Sequence, residues 1–94
     1  MQKLSATELE ASVKNLPQWK VEDGTLVREW KFADFVAAMA FVNQVAEAAE
    51  KAQHHPDIDI RYNRVRLGLV THDAGGITAK DVEMARTLDR VDCN

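Results

Sequence analysis

Cysteine is almost missing from this chain: Cys93 is the single one, so no disulfide can form within it. A lone thiol suits a reducing compartment, and a cytoplasmic protein is expected. Proline occurs only as Pro17 and Pro56, and each marks a place where a helix must already have stopped. No apolar run is long enough to cross a bilayer or to form the core of a signal peptide, so no membrane role is expected. Repeats, low-complexity tracts and linkers are also missing, and residues 1–94 read as one domain. Nor is there a surplus of positive charge. Twelve Lys and Arg against fifteen Asp and Glu leave a net charge of −3, which argues against a nucleic-acid surface. The one basic cluster, Arg61, Arg64 and Arg66, reads as a solvated strand edge. What is present is the 46% hydrophobic, 29% charged composition of a globular chain, small enough to gain from self-association.

Local signals divide the chain into seven elements. Ser5-Ala6-Thr7-Glu8 has the form of a capping box, with Leu4 and Leu9 placed as a hydrophobic staple. Leu9, Val13 and Leu16 continue as an apolar stripe up to Pro17. Trp19 to Glu22 and Thr25 to Phe32 alternate as strands around an Asp23-Gly24 hairpin turn. Arg28 falls on the apolar face of the second strand, where its stem would lie along neighbours while its head reaches water. Asp34 caps a long central helix, with Phe35, Ala38, Met39, Val42, Val45, Ala46 and Ala49 as its apolar stripe. Pro56 bounds that helix, leaving His54-His55 at or just past its end. Ile58 to Tyr62 and Val65 to Thr71 alternate as two further strands turning at Asn63-Arg64. Thr78 caps a last helix carrying Val82, Ala85, Leu88 and Val91. The order α-β-β-α-β-β-α predicts an α+β, two-layer fold, a four-stranded antiparallel sheet with helices packed on one face. The Ala-rich central helix and an edge near Val65 to Val70 are the candidate assembly surfaces.

All three histidines lie between positions 54 and 72, at element ends that project side chains from rigid scaffold. Imidazole titrates at about 6.5 when unperturbed, so a histidine group suits a reaction that removes one proton and delivers another. Each residue also has a structural job open to it. His54 is placed to meet the carbonyl end of the helix, His72 to make a turn, Glu50 to be surface charge, and Asp81 to complete a capping box with Thr78.

Taken together, Glu50, His54-His55-Pro56, Tyr62, His72 and Asp81 resemble the signature of the pterin-4a-carbinolamine dehydratases. The likeness extends to Trp19, Asp23-Gly24, Phe32 with Asp34-Phe35, Thr71-His72 and Gly76-Ile77-Thr78, so it covers nearly the whole chain. The resemblance implies an enzyme that removes water from 4a-hydroxytetrahydropterin to give quinonoid dihydropterin. That product returns to the cofactor pool of the aromatic amino acid hydroxylases. It implies catalysis by His54, His55 and His72, with Pro56, Thr71, Asp73 and Ala74 lining the pterin and no metal or cofactor required. His55 and His72 are expected to exchange the protons and His54 to position the substrate; which histidine is acid and which is base stays open. Glu50 would orient or charge a histidine, and Asp81 would do so for His72 or else cap its helix. Gln53 is a neutral amide where some relatives carry a carboxylate. The family also implies a homodimer or homotetramer. Two other readings compete: a protein-binding module, since some members serve as dimerisation cofactor of a transcription factor, and a histidine/carboxylate metal site using Glu50, Asp57 or Asp59.

Overall fold

A computed structural model describes residues 2–91; Cys93 lies outside them. Helix α1 (Ala6–Lys14) is followed by strands β1 (Lys20–Glu22) and β2 (Thr25–Lys31) and the long helix α2 (Phe35–Ala52). Strands β3 (Asp57–Arg61) and β4 (Arg64–Leu69) come next, then a 3₁₀ turn (His72–Ala74) and helix α3 (Ala79–Val91). The four strands form one antiparallel sheet in the order β1-β2-β4-β3, with the helices on one face.

The local signals act as their chemistry requires. The Glu8 backbone amide donates to Ser5 Oγ at 3.1 Å, and the Ser5 amide donates to Glu8 Oε1 at 2.8 Å, closing the capping box. Asp23 and Gly24 both take positive φ, 51° and 75°, the backbone of a hairpin turn whose twist matches its strands. Asp34 accepts from the Ala37 amide at 2.9 Å and starts α2.

Leu26 and Trp30 of β2 and Val65, Leu67 and Leu69 of β4 supply the sheet's half of the core. Ala38, Phe41, Val42, Val45 and Ala49 of α2 and Val82, Met84, Ala85 and Leu88 of α3 supply the other half. Each large side chain contributes roughly 1.5–3 kcal/mol by leaving water. Phe41, not Phe35 or Ala46, completes the α2 stripe: its ring lies 4.8 Å from Trp30 and 5.1 Å from Phe32, while Phe35 is half-exposed. Two aromatic partners, Trp30 on β2 and Phe32 just past its end, decide between two phenylalanines that helical spacing alone leaves equivalent.

Several expectations need correction. Arg28 does not reach for water. Its guanidinium lies 4.3 Å over the Trp30 ring and donates to Asp89 Oδ1 at 2.5 Å, and the same oxygen accepts from Trp19 Nε1 at 2.8 Å. The β3–β4 turn is made by Tyr62-Asn63, with Tyr62 at φ 54°, because Asn63 Nδ2 is anchored on the Phe32 carbonyl at 2.9 Å. The Val65–Val70 region is not an edge: β4 lies between β2 and β3, so the edges are β1 and β3. Arg64 and Arg66 therefore sit on the open face of an inner strand, and only Arg61 is on an edge. β3 is exposed along its whole length, with Ile58 39% and Ile60 38% accessible. Among the described residues, no helix is long and apolar enough to cross a membrane.

Candidate active site

The site begins where α2 ends. Gln53 takes the left-handed conformation (φ 53°, ψ 41°), its amide donates to the Glu50 carbonyl, and the His54 amide donates to the Ala49 carbonyl at 3.1 Å. This paired closure satisfies the last carbonyls of the helix and turns the chain sharply. The turn sends adjacent histidines to opposite environments. His54 goes inward, 9% accessible, toward the first turn of α3. His55 stays in solvent, and Pro56 is buried as the chain enters β3.

His54 Nε2 lies 2.5 Å from Asp81 Oδ1. Asp81 is fully buried, 0% accessible, and its second oxygen is engaged as well. Oδ2 accepts from the Thr78 amide at 2.8 Å and from Thr71 Oγ1 at 2.8 Å. The two threonine hydroxyls are themselves 2.8 Å apart, and Thr78 Oγ1 accepts from the Lys80 amide at 3.2 Å. Asp81 thus takes the free Thr78 amide at the start of α3, as the carboxylate of a capping box does, while the Thr78 hydroxyl takes the Lys80 amide, and it holds His54 with the same carboxylate. Of the two tasks foreseen for it, the cap is present and the histidine is His54, not His72. The cause is its place on the first turn of α3, which packs beside the end of α2. Because the carboxylate is sealed, its bearing on any ligand passes through His54.

His55 makes a different kind of pair. Its Nε2 lies 2.5 Å from Glu50 Oε2, with side chains 62% and 77% accessible. Such an exposed pair is worth at most about 1 kcal/mol. His72 opens the 3₁₀ turn and is exposed, as is Asp73, while Ala74 is half-buried. The turn is closed at its base, where Thr71 and Gly76 exchange both backbone hydrogen bonds at 3.0 and 3.3 Å. Gly75, at φ 75°, lets the chain come back on itself. Thr71 has two duties: it closes the loop that presents His72 and donates to the carboxylate that holds His54. The two histidine-bearing segments are joined through Asp81.

A hollow of about 340 Å³ on the open sheet face is lined by Glu29, Asp59, Arg61, Arg64 and Arg66 and contains no histidine. Among the described residues, no group of three or more His, Cys, Asp or Glu could hold a metal ion. His54 and His55 turn to separate carboxylates, and Asp59 faces Arg61 at 3.2 Å. Thr78 has a part that its sequence position did not announce. Its spacing to Asp81 signals the cap, but the contact with Thr71 exists only once the loop has closed.

Residues 2–91 match the family model described as pterin 4 alpha carbinolamine dehydratase. The chain belongs to that family. A relative from Acidobacterium capsulatum, provisionally named pterin-4-alpha-carbinolamine dehydratase, is 56% identical over 89 residues, covering 95% of this chain and 97% of the relative. Among solved structures, one from Brucella melitensis described as a transcriptional coactivator/pterin dehydratase superposes with a TM-score of 0.92 at 35% identity, covering 98% of this chain and all of the other. A pterin dehydratase-like protein described as a RuBisCO assembly factor in the alpha-carboxysome shares the fold alone, with a TM-score of 0.63 at 19% identity over 78% of this chain and 84% of the other. In this pterin-4a-carbinolamine dehydratase family member, one histidine is fixed by a buried carboxylate and two are accessible.

Proposed function

We propose that this chain dehydrates 4a-hydroxytetrahydropterin. One imidazole takes the N5 proton, another protonates the departing C4a hydroxyl, and the C4a–O bond breaks to leave quinonoid dihydropterin and water. His55 and His72 carry the two proton transfers, and His54 positions the substrate. The observation that supports this division is the contrast within the site. His55 and His72 are exposed, free to meet a ring from solvent, while His54 is held against Asp81. Pro56, Thr71, Asp73 and Ala74 border the pterin, and Glu50 orients His55. The product re-enters the pool used by pterin-dependent aromatic amino acid hydroxylases, in a reducing cytoplasm that suits the single cysteine.

Stopped-flow measurement of freshly generated 4a-hydroxytetrahydropterin, with chelator present, tests the proposal. A rate well above the spontaneous one, lost in the His55→Ala/His72→Ala variant, supports it. Folded protein that gives no acceleration sinks it.

Self-association accompanies this reading. β3 offers an unpaired backbone edge beside the accessible Ile58 and Ile60, the kind of strand that needs covering. A homodimer or homotetramer follows, and the mass in solution checks it. The coactivator description of the Brucella melitensis relative favours a second use of the same fold as a protein-binding module, working through protein contacts and not through nucleic acid.

A further inference from the structure

The hydrogen-bond directions around Asp81 determine where the protons of His54 reside. Two donors are fixed by the backbone: the Lys80 amide points at Thr78 Oγ1, and the Thr78 amide points at Asp81 Oδ2. Thr71 has a single hydroxyl proton, which it donates to Asp81 Oδ2 at 2.8 Å, so in its contact with Thr78 Oγ1, also 2.8 Å, it accepts and the Thr78 hydroxyl donates. Every group facing Oδ2 is a donor, so the carboxylate is an acceptor on that side. An ionised carboxylate has nothing to donate on the other side either. At Oδ1 the proton must come from His54 Nε2. The other ring nitrogen, Nδ1, has no hydrogen-bond partner among the described residues and is not sealed from solvent.

We infer that Asp81, Thr71 and Thr78 form a donor-directed cage that keeps Nε2 of His54 protonated in both charge states of the ring, leaving Nδ1 as its sole nitrogen open to a ligand. Neutral His54 then presents an acceptor to the site, and charged His54 a donor, always from the same atom. Thr71 and Thr78 are positioning residues acting through Asp81. The consequence for turnover rests on the dehydratase reading; the tautomer does not.

The cage also forecasts what asparagine would do at position 81. The Thr78 amide and the Thr71 hydroxyl that face Oδ2 demand an oxygen there, so an Asn side chain must turn its NH₂ toward His54. Nε2 would become an acceptor, and the neutral ring would carry its proton on Nδ1 instead. A neutral acceptor would be replaced by a donor at the atom facing the ligand, with little change of shape.

Nitrogen-15 NMR of histidine-labelled protein reads this directly. Wild type is expected to show His54 with Nε2 protonated and Nδ1 bare in the neutral ring, and Asp81→Asn the reverse. Wild-type protein with its neutral proton on Nδ1 overturns the inference, whether or not any variant folds. So does a folded Asp81→Asn protein that keeps the wild-type tautomer. In the dehydration assay, Asp81→Asn should lower kcat roughly ten- to a hundredfold, the weight of one hydrogen bond to a charged group, with KM little changed. Thr78→Val should weaken turnover in the same sense and Thr78→Ser should restore it; equal damage from both would mean that packing, not the hydroxyl, is what matters. If wild type has the forecast tautomer but no dehydratase activity, the cage stands and the proposed reaction falls.

Discussion

Two neighbouring residues of one type, His54 and His55, occupy opposite extremes of this site. His54 is nearly sealed and paired with a carboxylate that no water reaches, whereas His55 and its partner Glu50 are both largely in solvent. Their hydrogen bonds have the same length, 2.5 Å, yet they cannot weigh the same. A contact in water exchanges one hydration shell for another; a sealed contact has no such alternative if it is broken. Length therefore says little here, and burial decides.

The contrast can be broken deliberately. The largest expected effect is from Asp81→Ala, which leaves His54, Thr71 and the Thr78 amide without their shared acceptor. A loss of about 3–5 kcal/mol in urea unfolding is expected, the cost of removing one partner of a buried polar pair, and a loss below 1 kcal/mol would show that the cage is not sealed. His55→Ala and His72→Ala come next. Each should lower turnover by on the order of a hundredfold without shifting the unfolding midpoint, because both side chains are exposed. A lowered midpoint in either would assign that histidine to the fold. His54→Ala should behave differently from both, destabilising by about 1–3 kcal/mol by orphaning Asp81 Oδ1 as well as slowing turnover.

Smaller effects sharpen the comparison. Gln53→Gly relieves a side chain held at φ 53° and should stabilise by about 0.5–1 kcal/mol in thermal or urea melts. No gain would mean that the glutamine side chain contributes something that the geometry of the turn does not reveal. Glu50→Gln should leave stability within about 0.5 kcal/mol. Any kinetic change it causes, read as kcat against KM, then belongs to His55 alone.

Much of this arrangement could be read in advance where the cause was local. The Ser5–Glu8 box, the Asp23-Gly24 turn, the Asp34 cap and the halt before Pro56 depend on a few adjacent residues, and they form as read. The choice of Phe41 over Phe35 depends on Trp30 and Phe32, brought there by β2, and periodicity carries no such information. The same is true of strand order, which placed β4 inside the sheet when an edge was expected near Val65. At the site, the histidines, Glu50 and Asp81 stood out by their spacing, but their pairing did not. Which histidine Asp81 takes depends on how the start of α3 packs beside the end of α2. Thr78 shows the same limit: its capping role is written in four consecutive residues, and its link to Thr71 only in the folded loop.

The bridge between Thr71 and Gly76 has a consequence for redesign. A loop that is stitched shut at its base behaves as a cassette: what lies between the stitches can be exchanged while the frame beneath stays put. Asp73 and Ala74, which follow His72, are the exchangeable contents. If the proposed pterin reading holds, substituting them is expected to change which ring is accepted without retuning the cage around Asp81.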